Sequence, residues 1–337
     1  FHAGKHFRLY HKLGSHITQE DGVEGVRFAV YAPNARDVYV MGDFNNWDGY
    51  DYALTLRDDY SGIWEGFVPD VEKGNKYKYV VISKSNKRFD KADPMAYMQE
   101  QPPGNSSVVW NLDYKWSDDQ WMKKRKNNNS LSAPWSVYEV HLESWKKNLD
   151  REYPFLTYRE LAAELIPYVL KLGFTHIELM PITEYPFPGS WGYQATGYFA
   201  PTSRFGSPQD FKYFVDQCHQ NDIGIILDWV PSHFPSDGHG LGYFDGTHVY
   251  EHPNAQKGYH PDWKSLIFNY EKNEIRAFLI SSGLFWFDQY HIDGVRVDAV
   301  ASIIHLDYSR PEGQWSTNQY GGRDYLAGIS FLQEFNT

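Results

Sequence analysis

Short segments in which apolar and polar residues alternate dominate the first third of the chain. A period of two is typical of β-strands that bury one face, and turn-forming residues such as Pro33-Asn34 and Lys73-Gly74-Asn75 separate the segments. Five such segments occur, at residues 25–32, 37–42, 62–68, 76–83 and 106–110. Their length and spacing predict a small antiparallel β-sandwich over residues 1–113.

A polar stretch follows, and beyond it the pattern changes. Residues 114–134 include the run 123–129, which contains only lysine, arginine and asparagine, and they are predicted to form a linker. From residue 135 onwards, apolar strands alternate with segments of helical periodicity. The predicted strands are 137–142, 174–180, 223–229 and 291–300, and the predicted helices are 157–172, 208–221, 273–289 and 324–336.

Strands that are apolar on both faces and joined by helices form a parallel sheet covered on both sides. Long loops follow these strands, which is where a (β/α)8 barrel carries its active site. A closed barrel needs eight strand–helix units, whereas residues 135–337 supply four. We therefore expect this region to be the N-terminal half of a barrel, with the remaining half in the same or another chain.

Composition narrows the choice of partners. The net charge is −11 and there is no basic block, which argues against nucleic acid and anionic membrane surfaces. No apolar run is long enough to cross a bilayer. The single cysteine, Cys218, excludes an internal disulfide and, together with the lack of a visible targeting segment, favours the cytoplasm. Phe1 is not an initiator methionine, so we expect further residues before it.

The predicted strand 291–300 carries the first candidate for chemistry. Its period of two places Arg296 and Asp298 on one face. A guanidinium beside a carboxylate favours the ionised carboxylate and is expected to lower its pKa. Such a carboxylate is suited to attack a glycosidic carbon or to stabilise charge there. A purely structural ion pair at a strand end is the simpler alternative.

Further candidates follow the two preceding strands. Asp228 closes the strand 223–229 and His233 lies in the next loop, so both are expected at the same rim as Asp298. Tyr193, after the second strand, is suited to form an aromatic floor for a sugar ring. Each also has a structural explanation: a polar strand end or N-cap for Asp228, backbone hydrogen bonding for His233 and loop packing for Tyr193.

These segments resemble two signature regions of the α-amylase clan of glycoside hydrolases and transglycosylases. Within that clan the chain is most similar to the 1,4-α-glucan (glycogen) branching enzymes. In the second part of the chain the similarity is carried by residues 137–141, 191–194, 228–233, 246–252, 294–302 and 306–310. In the sandwich, residues 31–35, 42–47 and 91–94 resemble the carbohydrate-binding module that precedes the barrel in these enzymes.

The resemblance implies an all-β, immunoglobulin-like sandwich followed by the first half of a (β/α)8 TIM barrel. It implies a retaining double displacement with Asp298 as the nucleophile and Arg296 holding it ionised and oriented. Asp228, His233 and Tyr193 would bind the glucosyl ring at the cleavage site. The cleaved α-1,4-glucan chain would pass to a 6-hydroxyl and form an α-1,6 branch, without an organic cofactor.

The family's general acid is a glutamate at the end of the next barrel strand. No glutamate of this chain stands in a matching context, so we expect that residue to lie beyond Thr337, where the sequence stops. Two alternatives to branching remain. One is a debranching or trehalose-releasing relative from the same clan, and the other is a non-catalytic glucan-binding protein, if the chain truly ends at Thr337.

Histidines and tryptophans raise two smaller questions. A zinc site is not favoured, because the sequence has no His-Glu-x-x-His motif, no paired cysteines and no tight ligand spacing. The histidines of the loop after the third barrel strand are instead expected to line a sugar cleft: His233, His239, His248, His252 and His260. Trp47, in a turn-rich stretch, is predicted to be an exposed glucan-binding platform, and Trp64, in a strand, to pack in the core.

Overall fold

The computed structural model describes all 337 residues, and the first third of them forms two antiparallel sheets. Strand order is β1-β2-β6-β5 in one sheet and β4-β3-β7-β10-β9 in the other, where β8 also pairs with β7. The strands are β1 (Gly14–Glu20), β2 (Val23–Tyr31), β3 (Ala35–Gly42), β4 (Tyr52–Ala53), β5 (Thr55–Leu56), β6 (Ile63–Pro69), β7 (Lys76–Ser83), β8 (Arg88–Lys91), β9 (Met98–Gln99) and β10 (Ser107–Val108).

All five predicted sandwich strands are present, because their alternating apolar residues fill the space between the sheets. On β2, Val26 and Phe28 are completely buried. Trp64 packs in the core as predicted, and its indole Nε1 donates a hydrogen bond to the Ala32 carbonyl at 3.0 Å. The prediction missed five strands, β1, β4, β5, β8 and β9, each of which has a neighbour on one side only. Strand β1 also lacks a regular apolar alternation in its sequence.

The second part of the chain alternates strands and helices around a four-stranded parallel sheet. The order of strands in this sheet is β11-β12-β15-β19. The elements are α1 (Asp119–Asn128), β11 (Val137–Val140), α2 (Leu142–Trp145), α3 (Tyr158–Leu172), β12 (His176–Leu179), β13 (Thr183–Glu184), β14 (Gly197–Pro201), α4 (Pro208–Gln220), β15 (Gly224–Trp229), β16 (His233–Phe234), α5 (Ala255–Gly258), β17 (Tyr259–His260), β18 (Ser265–Ile267), α6 (Asn273–Tyr290), β19 (Gly294–Val297), α7 (Val300–Ile304) and α8 (Leu326–Phe335).

Local signals account for the helix boundaries that the sequence predicts. Helix α3 begins after Thr157, whose side chain accepts a hydrogen bond from the Glu160 backbone N–H while the Glu160 carboxylate accepts one from the Thr157 N–H. This reciprocal capping box satisfies two backbone donors that the helix leaves free. The helix ends at Gly173, which adopts the left-handed conformation that favours glycine at this position.

The stretch 114–134, which is predicted to be a polar linker, contains helix α1. In this helix Trp121 is buried on the side that faces the protein. Lys123 and Lys126 face the solvent and give the stretch its polar composition. The domain boundaries at residues 113 and 134 stay a prediction. Helix α1 and its N-cap, Asp118, are packed against the amino edge of the parallel sheet.

A cluster of ionisable side chains holds α1 in place, and we call it the buried cluster: Asp118, His219, His291 and Asp293. His219 Nδ1 and His291 Nδ1 each lie 2.8 Å from Asp118 Oδ2, and His219 Nε2 lies 3.1 Å from Asp293 Oδ2. The side chains of His219 and Asp293 have no solvent exposure. The cluster therefore ties together the entrance of α1, the end of α4 and the start of β19.

The sandwich and the parallel sheet share one continuous hydrophobic core of 66 buried residues. Lys91 on β8 is almost completely buried, and its Nζ donates hydrogen bonds to the carbonyls of Gly240 at 3.1 Å and Gly242 at 2.7 Å. The adjacent Ala92 N–H donates to the His239 carbonyl at 2.9 Å. The sandwich thus holds part of the long loop that follows β15. No helix is long and apolar enough to span a membrane.

The strand that carries Arg296 is less buried than the sequence indicates. It is confined to Gly294–Val297 and lies at one edge of the parallel sheet, where its residues are half-buried or exposed. Strand β11 forms the other edge, and Val137 there is also exposed. Each of these two strands has a neighbouring strand on one side only. Their apolar residues are therefore less covered than the same residues would be in a closed sheet.

Candidate active site

The predicted pairing of Arg296 with Asp298 is present, and Arg296 also binds Asp228. Strands β15 and β19 are parallel with Asp228 beside Arg296, so both side chains project from the same face of the sheet at its carboxyl edge. The Arg296 Nη1 group donates hydrogen bonds to Asp228 Oδ1 at 2.9 Å, to Asp228 Oδ2 at 3.0 Å and to Asp298 Oδ1 at 2.7 Å. We call these three residues the rim cluster.

Tyr193 reaches the rim cluster from the loop after β12. Its hydroxyl donates a hydrogen bond to Asp228 Oδ2 at 2.7 Å. Gly192 precedes it with a φ of 90°, and a Cβ at this position would lie 2.3 Å from the Pro181 carbonyl oxygen. Glycine is therefore required for the turn that directs Tyr193 towards Asp228.

His233 lies beside the rim cluster but does not touch its carboxylates directly. Its ring is buried, and Nδ1 lies 2.7 Å from the Ser232 hydroxyl. Burial lowers the pKa of His233 to about 4, so the ring is neutral at pH 7. A neutral imidazole is suited to exchange hydrogen bonds with an uncharged hydroxyl group.

Burial, more than the guanidinium, decides the proton affinities of the two carboxylates. It raises the pKa of Asp228 to about 6, although hydrogen bonds from Tyr193 and Arg296 act in the opposite direction. It also raises the pKa of Asp298 above its ordinary value, and Arg296 only partly offsets this. The expectation that Arg296 gives Asp298 a lowered pKa is therefore wrong, because partial desolvation of the charged form outweighs the ion pair.

The rim cluster has an excess of negative charge. One guanidinium faces two carboxylates, and the Arg296 side chain keeps 46% of its exposure while that of Asp298 keeps 14%. Asp298 is held by its backbone N–H, which donates to the Trp229 carbonyl at 2.9 Å. A net negative, partly accessible group of this kind can stabilise positive charge that develops on a bound ligand.

Two residues near the site were not predicted from the sequence. Trp263 lies against the His233 ring at 4.8 Å between ring centroids, and it also stacks on His260 at 3.7 Å. Only the position of Trp263 in the same long loop as His233 could have suggested this contact. His141 follows β11 at the carboxyl edge, and the periodicity of that strand was a usable signal for it.

The loop histidines do not form a metal site. No group of three or more histidine, cysteine, aspartate or glutamate side chains is arranged to hold a metal ion. His248 pairs with Glu251 at 3.1 Å and His252 with Glu271 at 3.4 Å, so these rings serve separate contacts. Trp47 is half-buried, and its Nε1 donates to Asp43 Oδ1 at 3.1 Å in the sandwich, away from the rim cluster.

Two family models match the chain, one in each part. The model described as carbohydrate-binding module 48 (isoamylase N-terminal domain) matches residues 12–96. The model described as the alpha amylase catalytic domain matches residues 162–265, a range that contains Tyr193, Asp228 and His233. The first match covers most of the sandwich and the second covers the middle of the alternating part.

Similar curated proteins align along the whole chain. The 1,4-alpha-glucan branching enzyme GlgB of Albidiferax ferrireducens is 57% identical over 337 residues, covering 100% of this chain and 53% of that protein. The GlgB of Aquifex aeolicus is 55% identical over 336 residues, with coverages of 100% and 53%. The GlgB of Trichormus variabilis is 54% identical over 358 residues, with coverages of 100% and 47%.

The chain is similar to the GlgB branching enzymes along its whole length. The family resemblance found in the sequence is thereby confirmed. The chain spans about half the length of the curated relatives it matches. A solved structure from Salmonella typhimurium, described as that of a proposed alpha amylase, superposes with a TM-score of 0.67 and 26% identity over 86% of this chain and 44% of that one. The expected fold class, a sandwich followed by part of an amylase-type barrel, is also confirmed.

Proposed function

We propose that this chain supplies the glucan-binding sandwich and the nucleophile of a 1,4-alpha-glucan branching enzyme. The observation that carries this proposal is the rim cluster, in which Arg296 joins Asp228 and Asp298 at the carboxyl edge of a parallel sheet. The high identity to branching enzymes over the whole chain supports the choice of reaction. The domains are then residues 1–113 and 135–337, in a cytoplasmic protein of α-glucan synthesis.

In the proposed reaction, Asp298 attacks the anomeric carbon of an α-1,4-linked glucosyl unit and forms a covalent glycosyl ester. The bond to the leaving glucan oxygen breaks, and that oxygen receives a proton from a general acid. We place no residue of this chain in the role of the acid. In the second step a 6-hydroxyl of another glucan unit attacks the anomeric carbon of the ester and gives its proton to the conjugate base of that acid. Asp298 leaves as a carboxylate, which gives an α-1,6 branch with retained configuration.

Each remaining residue of the site has a role in this scheme. Arg296 orients Asp298 and limits the cost of its charge, since the two groups are 2.7 Å apart. Asp228 binds ring hydroxyls, while Tyr193 lies against the ring and holds Asp228 in position. His233, neutral at pH 7, hydrogen-bonds a hydroxyl group. Their combined effect is to position the sugar for in-line attack.

The remaining barrel strands are proposed to come from outside residues 1–337, in the same chain or another one. Supporting observations are the relatives of twice this length and the half-exposed edge strand β19. No role in this scheme requires a metal ion or an organic cofactor. The sandwich is proposed to bind α-glucan through Trp47, which lies in a turn where it is partly accessible.

The reaction is tested with the full-length protein and amylose. Branching changes the colour of the iodine complex without a proportional release of reducing ends, whereas hydrolysis by a debranching or amylase-type enzyme releases them. Branch points found by debranching the product would support the proposal. A proportional rise in reducing ends, or binding of glucan without any change in the polymer, would contradict it in favour of a hydrolase or a non-catalytic glucan-binding protein.

The role of Trp47 is tested separately by affinity electrophoresis in glycogen. We expect Trp47→Ala to weaken retardation of the protein by glycogen about tenfold, as for other aromatic contact residues. Tyr60→Ala is the matched control, because Tyr60 is a sandwich aromatic that is 92% exposed and lies outside the predicted platform. Equal retardation of the Trp47 variant and the wild type would remove this residue from the proposal.

A further inference from the structure

Lys91 on β8 is a buried cation whose hydrogen bonds reach across to another part of the chain. It is 1% exposed, and its Nζ donates to the carbonyls of Gly240 and Gly242 in the long loop after β15. Neither acceptor carries a charge, and a buried ammonium group is costly unless its surroundings compensate it. An apolar side chain would fill the same space without this cost, so the charge itself needs an explanation.

The surroundings of Lys91 leave its amine protonated at pH 7. Burial lowers its pKa to about 8, while the charges of Glu251 and Asp245 act in the opposite direction. Both carboxylates are buried and belong to the same long loop. The rings of Phe89 and Phe244 lie 5.8 and 5.9 Å from Nζ. The two carbonyls therefore face a cation, which binds them more strongly than a neutral donor would.

Gly242 transmits this contact to the strand that carries His233. A Cβ on Gly242 would lie 2.7 Å from Leu266 Cδ1, so the Gly242 backbone lies directly against this residue of β18. Strand β18 pairs with β16, and in this register Ile267, next to Leu266, is the partner of His233. The route from Lys91 to His233 thus consists of a charged hydrogen bond, a close packing contact and one pair of strands.

The main chain around His233 has two further anchors. The Tyr198 hydroxyl on β14 donates to the His233 carbonyl at 2.9 Å. The Ala92 N–H, next to Lys91, donates to the His239 carbonyl, so the sandwich binds three carbonyls within four residues of the loop. Strand β16 is therefore fixed at its start by Tyr198 and, through the turn that follows it, by the sandwich.

We propose that Lys91 is a positioning residue for the glucan-transfer site and holds His233 in place through Gly242 and β18. The inference rests on the proposed function, in which the His233 ring hydrogen-bonds the glucosyl unit that is cleaved. It gives the sandwich a role in the reaction that does not involve binding of glucan. Without the ammonium group, two buried carbonyls lose their donor, the turn shifts and the His233 ring moves with β16.

The first test is a double-mutant cycle with the full-length protein and amylose. Lys91→Met should lower kcat/KM for glucan transfer about tenfold, because small displacements of a positioned group can cost this much. In a protein that already carries His233→Ala, the same change should cost less than about twofold, because the group that Lys91 positions is absent.

Lys212→Met is the matched control for this cycle. Lys212 on α4 is also almost completely buried, its Nζ donates to the Leu112 carbonyl, and burial lowers its pKa to about 8. Its hydrogen bond does not reach the loop after β15. The control variant should therefore leave kcat/KM per folded molecule unchanged, with or without His233→Ala.

A second variant tests the same route if Lys91→Met does not fold. Gly242→Ala keeps the ammonium group but brings its new Cβ against Leu266, and it should also lose activity that depends on His233. This loss should again be absent when His233→Ala is already present. Gly238→Ala is the control in the same loop, because a Cβ there meets no atom within 4 Å.

Hydrogen–deuterium exchange separates failure of this inference from failure of the proposed function. Amides of residues 233–242 should exchange about tenfold faster in Lys91→Met and at the wild-type rate in Lys212→Met. Unchanged exchange in Lys91→Met, equal acceleration in Lys212→Met, or losses of kcat/KM that multiply in the double variant would overturn the role of Lys91. A wild type that transfers no glucan would instead overturn the proposed function, and the exchange rates would still decide whether Lys91 holds β16.

Discussion

Two groups of aspartates, each with a basic side chain between them, lie at opposite edges of the same parallel sheet. The buried cluster places His219 between Asp118 and Asp293 at the amino edge. The rim cluster places Arg296 between Asp228 and Asp298 at the carboxyl edge. The chemical components are similar, so the surroundings decide what each cluster does.

At the amino edge, other groups of the protein occupy both oxygens of the Asp293 carboxylate. The two oxygens of Asp293 accept from the Trp121 indole at 2.9 Å, the Asn129 amide at 3.3 Å, the Ile225 N–H at 2.8 Å and His219 at 3.1 Å. Burial opposes the charge of Asp293, yet these partners more than offset it and lower its pKa. Asp293 therefore has no unpaired oxygen to offer a ligand, and its role is to stabilise the fold.

At the carboxyl edge, burial outweighs the hydrogen-bonding and charged partners of the carboxylates. Burial raises the pKa of both Asp228 and Asp298, because one partly exposed guanidinium does not compensate two carboxylates. The folded protein therefore holds these charges at a cost. The comparison shows that carboxylates alone do not mark a site for chemistry. The carboxyl edge differs because its two buried carboxylates are only partly compensated by positive charge.

The largest expected effect separates the two clusters by activity. Asp298→Ala should lower glucan transfer about 10⁴-fold or more, since it removes the proposed nucleophile. The free energy of unfolding should change by less than about 1 kcal/mol, because Arg296 keeps its bonds to Asp228 and a costly charge is lost. The measurements are iodine-stained branching and urea unfolding of the full-length protein. Retained branching would remove Asp298 from the mechanism.

The second largest effect is expected at the buried cluster, on stability and not on activity. Asp293→Ala should lower the free energy of unfolding by about 3–5 kcal/mol, the usual cost of breaking a buried ion pair from one side. Activity per folded molecule should be unchanged. Asp90→Ala is the control, because Asp90 pairs with Arg88 on the surface and should cost at most about 1 kcal/mol. Equal losses for both variants would show that the buried cluster has no special role.

A smaller effect concerns the pH dependence of activity. Asp228 must be ionised to bind Arg296, and its pKa is about 6, so kcat/KM should fall as the pH drops below 6. The Tyr193 hydroxyl lowers that pKa, so Tyr193→Phe should move the acidic limb to higher pH and reduce kcat/KM about tenfold through one lost hydrogen bond.

Tyr77→Phe is the matched control for this prediction. The Tyr77 hydroxyl donates to Asp93 at 2.6 Å, and the pKa of Asp93 is also raised to about 6, but this pair lies in the sandwich. The control variant should leave the acidic limb of the pH profile in place. An identical shift in both variants would mean that the limb reports folding and not the site.

The smallest effect is the pH dependence of stability at the buried cluster. Burial opposes protonation of His219, but Asp118 and Asp293 more than offset it and raise its pKa above 6.5. A raised pKa in the folded state means that this stabilisation is complete below pH 6.5 and is lost as the pH rises through the folded value. Urea midpoints measured between pH 6 and 9 should fall less in His219→Gln than in the wild type, and equal slopes would contradict this.

Sequence reasoning was strongest where one strand or helix determines the outcome. The period of two placed Arg296 and Asp298 on one face, and the Thr157 and Gly173 signals gave the ends of α3. That Tyr193, Asp228 and His233 lie close to them followed from the rule that active-site residues collect at the carboxyl ends of barrel strands. Their individual roles stay a prediction.

Sequence reasoning failed where contacts join distant segments. The sign of the pKa shift at Asp298 depends on burial by its surroundings, which no pattern along the strand contains. The sequence gives no helical pattern for α1, because the buried side of this helix consists mainly of Trp121 and its neighbours are polar. The contact of Trp263 with His233 arises from the folding of one long loop back on itself.

The buried Lys91 has a practical consequence for anyone who dissects this protein. Its ammonium group donates to the carbonyls of Gly240 and Gly242, which belong to the segment that continues from His233, so the sandwich also holds a loop of the second part of the chain. Deleting the sandwich would also release that segment. Lost turnover after such a truncation would therefore not measure how much substrate recruitment matters.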